Sequence, residues 1–590
     1  MIKHTKSYIK GHPNPQYTRK SFENLDGKWG FAFDDENKGI KERYYKEFPQ
    51  EYEIEVPYSF EYPASGLAIK ETHNIVWYRK KFIYKPTKNK ERTLLHFEGV
   101  DYEAKVYVNG EYVGNHLGAY SRFSFDISQY INEGENEIVV RVYDDYSCTK
   151  SRGKQRWMDH NYECFYRETT GIYKSVWLEF VPKTYLKTVY IKPSYEKTNV
   201  SIEYELEGET KGYTLETIIT YNNQIINQST KVLTDNKYID AYDLTTHSAT
   251  MKLHCWNDTY PCLYDVEFNL YHEGILIDTV LSYFGIAEFI SRGSNIYLNR
   301  NILFPRLILD QGYYPDTGIS LTEQQMIKDI TLMKEIGLNG CRKHQKIESD
   351  LFYYYCDVMG FYLWQELPSA YEWKMQTIKN LSNEWTDILL QHLNHPCIMA
   401  HVIVNESWGT MAIGTNKNQQ YFTLGLYNLT KSIDENHFVI SNDGWEHTIS
   451  DLITVHDYSS EKELMDQSYQ DFSNHFLEDN RLTRVHSKRL FDDGFINHEL
   501  KPILMTEFAG IAFSKDKNIG WGYGDLVPNE EKYLERLKGQ IDSIIESHVF
   551  TGFCITQLSD VQQEVNGLVD QNRNFKVDKL ALKNIITRRF

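Results

Sequence analysis

The second half of the chain alternates between apolar, strand-like segments and helical segments, and this rhythm constrains the fold more than any other feature of the sequence. Each strand-like segment is a short apolar run, and helical stretches such as 529–547 separate most of them. Eight strand–helix units within about 300 residues are typical of a (β/α)8 barrel. The eight predicted strands lie near residues 302–308, 338–342, 361–366, 398–404, 438–441, 452–457, 503–506 and 550–557.

One helix of this region shows both of its ends and its buried face in the sequence. Thr322 and Gln325 stand at the spacing of a capping box, in which two side chains bond to free backbone N–H groups at a helix N-terminus. Gly337 is a typical residue to end such a helix. The residues predicted to face the barrel are Met326, Ile330 and Met333.

The first half of the chain has a different pattern, in which short alternating strands are separated by glycine and asparagine turns. Val106 and Val108 share one face before Asn109-Gly110, a strong signal for a two-residue hairpin. Many short strands of this kind indicate a jelly roll followed by a sandwich. The predicted domains are a β jelly roll at residues 1–185, an immunoglobulin-like β-sandwich at 186–286 and the (β/α)8 TIM barrel at 287–590.

Charge and cysteine content exclude several classes of function. The formal net charge of −18 argues against nucleic acid or anionic membrane as a partner, because phosphate binding requires a concentrated basic surface. The N-terminus lacks an apolar h-region and no stretch approaches the ~18 apolar residues of a membrane span, so a cytoplasmic protein is expected. The eight cysteines are scattered without a C-x-x-C pair, so zinc ribbons and thioredoxin-like chemistry lack support, although Cys255 and Cys262 could be bridged. No cofactor and no metal ligands are predicted, and the sequence leaves a metal requirement open.

The chain has 45 tyrosines and 11 tryptophans, which are open to two interpretations. Aromatic residues are favoured in β-strands, so their number fits the β-rich first half. Aromatic rings also stack on the apolar faces of sugar rings, and phenol groups bond to sugar hydroxyls. The composition favours β structure and leaves sugar binding open.

Two glutamates follow apolar strands at the end where barrels carry their catalytic groups. Glu406 follows the fourth predicted strand in "NHPCIMAHVIVNESWG", and Glu507 ends the seventh in "PILMTEFAG". Either glutamate alone could cap a helix or pair with an arginine. Two carboxylates across one barrel mouth are the acid and nucleophile that glycoside hydrolysis requires, and repulsion and burial are expected to keep one of them protonated near neutral pH.

The chain resembles glycoside hydrolase family 2, the group of β-galactosidases, β-glucuronidases and β-mannosidases. In that family "NHP", an apolar strand and Asn-Glu carry the acid/base, matched by Asn405-Glu406, and a segment similar to "EFAG" at Glu507 carries the nucleophile. The resemblance extends over nearly the whole chain. Its jelly-roll motifs are "NLDGKWGF" (24–31), "WYRKKF" (77–82), "FEGVDYEAKVYVNGEYVG" (97–114) and "TTGIYKSVWLE" (169–179).

The resemblance also implies roles for residues around the two glutamates. Tyr458 matches the tyrosine that supports the nucleophile, and Arg342 matches the arginine that pairs with that carboxylate. Glu366 matches another acidic position of the mouth, although Arg342 and Glu366 could instead form a salt bridge that only shapes the pocket. The predicted substrate-binding residues are Asn405, Tyr458, Arg342, His344, Glu366, Asp310, Trp445 and Gln557.

The sequence departs from the family pattern at positions that recognise the sugar, so these departures affect the predicted substrate and not the predicted reaction type. In "RKHQKIE", His344 comes one residue earlier than in the family's R-x-x-H-Y-P. Strand eight lacks the usual aromatic residue, and the jelly roll lacks the aspartate that it often sends into the pocket. The residues found there are Thr556, Gln557 and Asp560 on strand eight and, in the jelly roll, Phe165, with Glu163 or Glu168 as the nearest acid.

A possible carboxylate-binding motif lies after the last predicted strand. Asn574 and Lys576 in "QNRNFKVD" have the spacing of the Asn-x-Lys clamp that binds the sugar carboxylate in β-glucuronidases. Aligned from strand eight, the same stretch better matches an Arg-x-x-Lys segment that leads into the last helix. The sequence alone leaves both interpretations open.

These observations predict a retaining, exo-acting β-glycosidase that hydrolyses terminal β-linked sugars by double displacement. A β-galactoside is the first choice of substrate, and a glucuronide, galacturonide or arabinoside is the alternative. A small oligosaccharide or an aryl or alkyl glycoside is the expected partner, and a homo-oligomer is implied by family analogy. Two other classes stay open: a catalytically inactive carbohydrate-binding protein and a protein-interaction scaffold.

Overall fold

The computed structural model describes residues 2–87, 90–245, 252–478, 484–485, 488–490, 500–514 and 520–588. They form two β domains followed by a barrel of alternating strands and helices, which confirms the predicted architecture. Within these ranges, no helix is both long enough and apolar enough to cross a membrane.

The N-terminal domain is built from two antiparallel sheets that enclose one apolar core, which confirms the jelly roll. A short ladder joins Val100–Asp101 to Gly171–Ile172, and a 3-10 turn covers Pro63–Ser65. The four-stranded sheet contains, in order, Phe22–Asn24, Val176–Val181, Arg92–Phe97 and Phe123–Asp126. The six-stranded sheet contains, in order, Tyr52–Val56, Gly27–Phe33, Ile75–Tyr84, Gly134–Tyr143, Glu103–Val108 and Glu111–Leu117.

The hairpin predicted at Asn109-Gly110 is present in this domain. Asn109 has φ of 50° and Gly110 has φ of 78°, so both central residues adopt the left-handed conformation of the favoured two-residue turn. Val106 and Val108 on the preceding strand are fully buried, as their alternation predicts. Local sequence therefore determines this part of the sheet.

The second domain is a β-sandwich with its own apolar core. Cys255 and Cys262 are both free thiols, so the bridge that the sequence left open is not formed. One sheet contains Tyr185–Ser194, Asn199–Glu207 and Lys237–Asp243, and the other contains, in order, Gln224–Val232, Tyr213–Tyr221, Tyr264–His272 and Ile275–Phe284.

The third domain is an eight-stranded parallel barrel, preceded by the small antiparallel sheet Phe289–Arg292, Asn295–Leu298 and Asn301–Leu303. Each of the eight predicted strands is confirmed. The ladder runs in the order β5-β4-β3-β2-β1-β8-β7-β6, and every pairing in it is parallel. The strands are β1 Arg306–Asp310, β2 Gly340–Lys343, β3 Tyr362–Glu366, β4 Ile398–Val402, β5 Phe438–Ile440, β6 Ile453–Asp457, β7 Ile503–Ala509 and β8 Phe553–Thr556.

Seven helices are described around the barrel, and each follows a strand other than β5. Thr322 and Gln325 form the predicted capping box at the start of the first helix. Its predicted inward residues Met326, Ile330 and Met333 are all buried. The helices are α1 Glu323–Glu335, α2 Asp350–Met359, α3 Met375–His392, α4 Lys417–Ile433, α5 Lys462–Glu478, α6 Glu530–Glu546 and α7 Lys579–Ile586; a hairpin of Arg484–Val485 and Lys488–Arg489 follows α5.

A long connection of the jelly roll, residues 148–168, lies against the barrel and is called here the jelly-roll loop. The backbone N–H groups of Arg152 and Gly153 both donate to the carbonyl of Ser369, at 3.0 and 3.1 Å. Gly153 has φ of 60°, and a Cβ at this position would lie 2.1 Å from the carbonyl oxygen of Gln345. Only glycine permits this close approach, which brings the next residue, Lys154, over the mouth of the barrel.

Candidate active site

A cavity of about 410 Å³ opens at the C-terminal ends of the barrel strands. Its size lies within the range of roughly 300–1,000 Å³ that is usual for small-molecule sites. Strands of the barrel, loops that follow them and the jelly-roll loop all contribute to its wall. The lining residues are Lys154, Glu163, Cys164, Leu309, Gln311, His344, Asn405, Glu406, Trp408, Tyr458, Glu507, Trp521, Tyr523, Thr556 and Glu564.

Glu406 enters this cavity from a strained turn just after β4. Glu406 has φ of 50° and Ser407 has φ of 58°, a left-handed conformation that non-glycine residues adopt at a cost. The backbone N–H of Glu406 donates to the carbonyl of Asp443 at 3.0 Å, and that of Ser407 donates to the side-chain oxygen of Asn442 at 2.9 Å. The surrounding bonds therefore hold the Glu406 side chain towards the cavity.

Glu507 enters the same cavity from an irregular point of β7. Between Met505 and Phe508 this strand contains one residue more than the facing part of β8, so the side chain is turned relative to a regular strand. The carboxylate of Glu507 is 4% exposed and has an oxygen within 4.8 Å of a carboxylate oxygen of Glu406. The two strand-end glutamates therefore meet in one cavity, although 101 positions separate them in the chain.

Arg342 lies beneath the two glutamates and is completely buried. Its guanidinium donates to Glu366 Oε1 at 2.7 Å, to Glu507 Oε1 at 3.3 Å and to Asn405 Oδ1 at 3.1 Å. It also lies 2.6 Å from Asp443 Oδ2. The predicted pairing of Arg342 with Glu507 and the salt bridge with Glu366 both occur, because one planar guanidinium serves several acceptors.

Tyr458, just after β6, donates a hydrogen bond of 2.6 Å to Glu507 Oε2. The ring of Tyr458 stacks on that of Tyr523, with 3.5 Å between their centroids. Glu507 thus receives donors on both carboxylate oxygens, from Tyr458 and from Arg342, which orients the group and stabilises its charge.

His456 of β6 is a central residue of the site that the sequence analysis missed. Its Nδ1 lies 2.9 Å from Glu406 Oε1 and 3.5 Å from Glu507 Oε2, and its Nε2 lies 3.1 Å from Asp443 Oδ2. Burial lowers the pKa of His456, but the charges of Glu507 and Asp443 and the hydrogen bonds to Asp443 and Glu406 outweigh burial and raise it to about 10. The imidazole is therefore a cation between three carboxylates at neutral pH.

The His456 cation changes the electrostatics that the sequence predicts for Glu406. Burial raises the pKa of the Glu406 carboxyl, as expected for a catalytic acid, but the hydrogen bond and charge of His456, with the charge of Lys154, shift the pKa below its usual value. The sequence predicts that one of the two glutamates keeps a proton near neutral pH. In the structure the imidazole of His456 holds this proton instead. Because the two groups share a hydrogen bond, they bind this proton as a pair.

The jelly-roll loop contributes three residues to the cavity: Lys154, Glu163 and Cys164. Of the two acids considered from sequence, Glu163 lines the cavity. Glu168 instead pairs with the guanidinium of Arg156 and is not among the lining residues. The loop therefore lines one side of the cavity with a cation, a thiol and an acid.

The eight predicted substrate-binding residues divide into three groups. Asn405, Tyr458 and His344 line the cavity. Arg342 and Glu366 lie below it, and the pKa of Glu366 is raised to about 7 by burial despite its bond to Arg342. The remaining three, Asp310, Trp445 and Gln557, do not line the cavity.

Asp310 and Gln557 do not line the cavity because their side chains are already used in buried contacts. Asp310 Oδ2 accepts a bond of 2.6 Å from Lys343 Nζ. Gln557 accepts from Gln311 at 2.7 Å and donates to Asn566 at 2.6 Å. A strand-end position alone could not distinguish a group that faces the substrate from one that supports its neighbours.

The Asn-x-Lys sequence after β8 does not form a clamp in this cavity. Lys576 Nζ is buried and donates to Asp560 Oδ1 at 2.7 Å and to the carbonyls of Phe513 and Val565 at 2.8 and 2.9 Å. Asn574 bonds to Asp570 instead. Neither residue lines the cavity.

Comparison with protein families matches the three domains separately. Residues 22–182 match the sugar binding domain of glycosyl hydrolases family 2, residues 184–286 match a further glycosyl hydrolases family 2 model, and residues 292–588 match the family's TIM barrel domain. These matches leave few residues of the chain outside the family.

Curated relatives include a β-galactosidase of Thermoanaerobacter pseudethanolicus, 30% identical over 65% of this chain and 50% of that protein. A putative β-glucuronidase of Formosa agariphila is 29% identical over 56% of this chain and 40% of that protein. The chain thus spans half or less of the length of these relatives.

Solved structures share the fold along almost the entire chain. A β-galacturonidase from Eisenbergiella tayi bound to galacturonate gives a TM-score of 0.74 at 19% identity, over 97% of this chain and 98% of that one. A β-glucuronidase from Ruminococcus gnavus gives 0.78 at 16% identity, over 96% and 98%. At these identities the likeness describes the fold alone.

Proposed function

Because the chain belongs to glycosyl hydrolases family 2, we propose that it is a retaining, exo-acting β-glycosidase that releases terminal β-linked sugars. The observation that carries this proposal is the approach of the Glu406 and Glu507 carboxylates to within 4.8 Å in one cavity. Carboxyl groups about 5 Å apart fit a double displacement, whereas inversion requires room for a water between them.

In the first step Glu507 attacks the anomeric carbon and Glu406 transfers a proton to the glycosidic oxygen. The bond to the leaving group breaks as the ester bond to Glu507 forms, so the departing alcohol carries the transferred proton. Tyr458 and Arg342 hold Glu507 as an oriented carboxylate. His456, bonded to Glu406, supplies the proton that Glu406 passes on.

In the second step water enters on the side that the leaving group has vacated. Glu406 accepts a proton from this water as the water oxygen attacks the anomeric carbon and the bond to Glu507 breaks, and the proton returns through Glu406 to His456. Asn405 lies beside Glu406 at the cavity wall and is fixed by its bond to Arg342. Its amide group is suited to bond a sugar hydroxyl next to the reacting carbon.

The shape of the mouth supports action on chain ends rather than on internal bonds. The jelly-roll loop lines one side of a cavity of about 410 Å³, which favours a substrate that enters by one end. A β-galactoside is the first substrate expected from the sequence. Galactosides and uronides are the two substrate classes to compare, because relatives and structural neighbours are named as β-galactosidase, β-glucuronidase and β-galacturonidase.

A carbohydrate-binding protein without catalysis needs neither glutamate, because sugar binding requires only rings and hydrogen-bond donors. The hydrogen bonds that Tyr458 and Arg342 donate to Glu507 favour an enzyme over a protein that only binds sugar.

A panel of aryl β-glycosides tests the proposal, with galactoside, glucuronide, galacturonide, mannoside, arabinoside and xyloside assayed in parallel. We expect turnover of at least one, release of a single sugar from an oligosaccharide end, and a first product of β configuration by NMR. Inertness across the panel with intact sugar binding would favour the lectin-like alternative. A first product of α configuration would contradict retention.

The shared proton of Glu406 and His456 predicts the alkaline limb of the pH profile. The raised pKa of His456, about 10, means that the pair keeps its proton well above neutral pH. In a His456→Asn variant Glu406 must hold the proton alone, so the alkaline limb of kcat/KM should move to lower pH by about one unit or more. An unchanged limb would show that this pair does not hold the catalytic proton.

A further inference from the structure

Lys154 is a buried cation whose charge is not neutralised by a contact. Its side chain lines the cavity, yet the residue is only 8% exposed. Its Nζ donates to Cys164 Sγ at 3.2 Å and lies 5.6 Å from the centroid of the Phe165 ring. Among the residues that the structure describes, it forms no ion pair.

The thiol of Cys164 does not neutralise this charge. Burial raises the pKa of Cys164 above its usual value, so the sulfur stays protonated and neutral at physiological pH. A neutral thiol is a weak acceptor. The ammonium group of Lys154 has three N–H donors, and the contact with sulfur uses one of them.

Of the four carboxylates that line the cavity, three have partners of their own, and the fourth, Glu163, is exposed. Glu406 is bonded to His456, and Glu507 to Tyr458 and Arg342. The third, Glu564, accepts from the hydroxyl of Tyr166 and, at 2.9 Å, from the amide of Asn566. Among the described residues, Lys154 therefore forms no direct contact with any of the four carboxylates.

We propose that Lys154 binds the carboxylate of a uronic acid at the nonreducing end of the substrate, so that β-uronides are the preferred substrates of the glycosidase proposed above. Burial lowers the pKa of Lys154, but the charges around it, among them those of Glu564, Glu507 and Glu406, outweigh burial and raise it. None of these carboxylates contacts the ammonium group, so an anionic ligand group can supply the direct counter-ion that it lacks. A sugar hydroxyl accepts a hydrogen bond but leaves the charge unpaired. This inference rests on the proposed function and selects its substrate class.

The position of Lys154 explains how a uronide could bind although the Asn-x-Lys sequence after β8 does not face the cavity. Lys576 already donates to Asp560 and to two backbone carbonyls, so it has no donor left for a ligand. The jelly-roll loop supplies a cation from a different domain. Its placement depends on Gly153, which only as glycine fits against Gln345.

A different role for Lys154 is to offset the summed charge of Glu406, Glu507 and Glu564 without touching the substrate. That role predicts equal effects of its removal on charged and neutral substrates, whereas a uronate contact predicts a selective effect. The comparison of two substrate classes in one variant therefore separates the two roles.

The test compares wild type, Lys154→Met and Lys154→Arg on 4-nitrophenyl β-glucuronide, β-galacturonide and β-galactoside. Methionine keeps the apolar stem that packs near Phe165 and removes the charge. We expect wild type to prefer one of the uronides and Lys154→Met to lose roughly 10- to 100-fold in kcat/KM on it, mostly through KM. Lys154→Arg should retain part of this activity, and the loss that Lys154→Met shows on the galactoside should be about tenfold or more smaller than its loss on the uronide.

Asn574→Ala is the matched control for the other candidate clamp. It should leave the uronide value unchanged because, within the described part of the chain, Asn574 bonds only to Asp570. Binding of free glucuronate and galacturonate to Glu507→Gln, measured by calorimetry, gives a readout that does not depend on turnover. It should weaken when Lys154→Met is added.

Each outcome is decisive. Turnover of the galactoside but of neither uronide would overturn the uronate inference and leave the glycosidase intact. Equal losses on uronide and galactoside in Lys154→Met would overturn it as well. Inertness on every glycoside of the panel would overturn both proposals.

Discussion

Replacing Glu507 by glutamine is expected to lower kcat by about 10⁴-fold or more on every substrate that wild type cleaves. Glutamine has nearly the same shape but cannot form the covalent ester, so the loss falls on the chemical step and not on binding. The measurement is steady-state kinetics, with calorimetric sugar binding as a second readout. Glu546→Gln, a change at an exposed position of α6, is the matched control and should behave as wild type.

The identity of Glu507 as the nucleophile is tested further by chemical rescue. In Glu507→Gly a small anion such as azide can enter the space left by the carboxylate and attack the anomeric carbon directly. An activated aryl glycoside should then give the α-glycosyl azide, because only one displacement takes place. A variant that keeps more than about a hundredth of the wild-type kcat would exclude Glu507 as the nucleophile.

Replacing Glu406 by alanine is expected to produce a loss that depends on the leaving group. Glycosides of poor leaving groups, such as natural disaccharides, should lose about 10³-fold or more in kcat/KM, because their oxygen must be protonated as it departs. A dinitrophenyl glycoside needs no proton, so its first step should be almost unaffected. Its second step should be slow, because no base remains to activate water.

Azide again provides the diagnostic product. In Glu406→Ala it should accelerate the turnover of the dinitrophenyl glycoside and give the β-glycosyl azide, since two displacements occur. Equal losses for good and poor leaving groups would contradict the assignment of Glu406 as the acid. A thermal unfolding midpoint close to that of wild type shows that the barrel is intact.

Much of the fold follows from patterns that extend over a few residues. The capping box of Thr322 and Gln325 and the hairpin at Asn109-Gly110 are confirmed, and so are the eight barrel strands. These features depend on backbone conformation and on the period of apolar residues, which neighbouring positions determine. The number of helices differs from the eight strand–helix units that the sequence predicts, because the connection between β5 and β6 contains no helix among the described residues.

Several residues of the candidate site were predictable because they stand at the ends of barrel strands. Glu406, Glu507, Asn405, Tyr458 and His344 all line the cavity. Asp310 and Gln557 occupy similar strand-end positions, yet their side chains bond to buried neighbours. Strand position places a side chain near the mouth, but packing decides whether it faces the cavity.

His456, Asp443 and Lys154 escaped the sequence analysis for a shared physical reason. His456 acquires its charge only because Asp443, Glu406 and Glu507 surround it, and these groups come from three other segments of the chain. In "VHDYSS", His456 stands two residues before Tyr458 and next to Asp457. The alternation of side chains along β6 could therefore have identified His456 as a site residue. Lys154 lies in a loop without periodicity, so no sequence signal placed it in the cavity.

By itself the sequence determined the domain types, the barrel strands and the two glutamates, because periodicity, turns and strand ends are local properties. Tertiary structure alone decided which polar groups meet, where the proton of the site is held, and that a lysine from the jelly-roll loop lines the cavity. Those outcomes depend on distances between segments far apart in the chain, and electrostatic energies change steeply over a few ångströms in a buried environment.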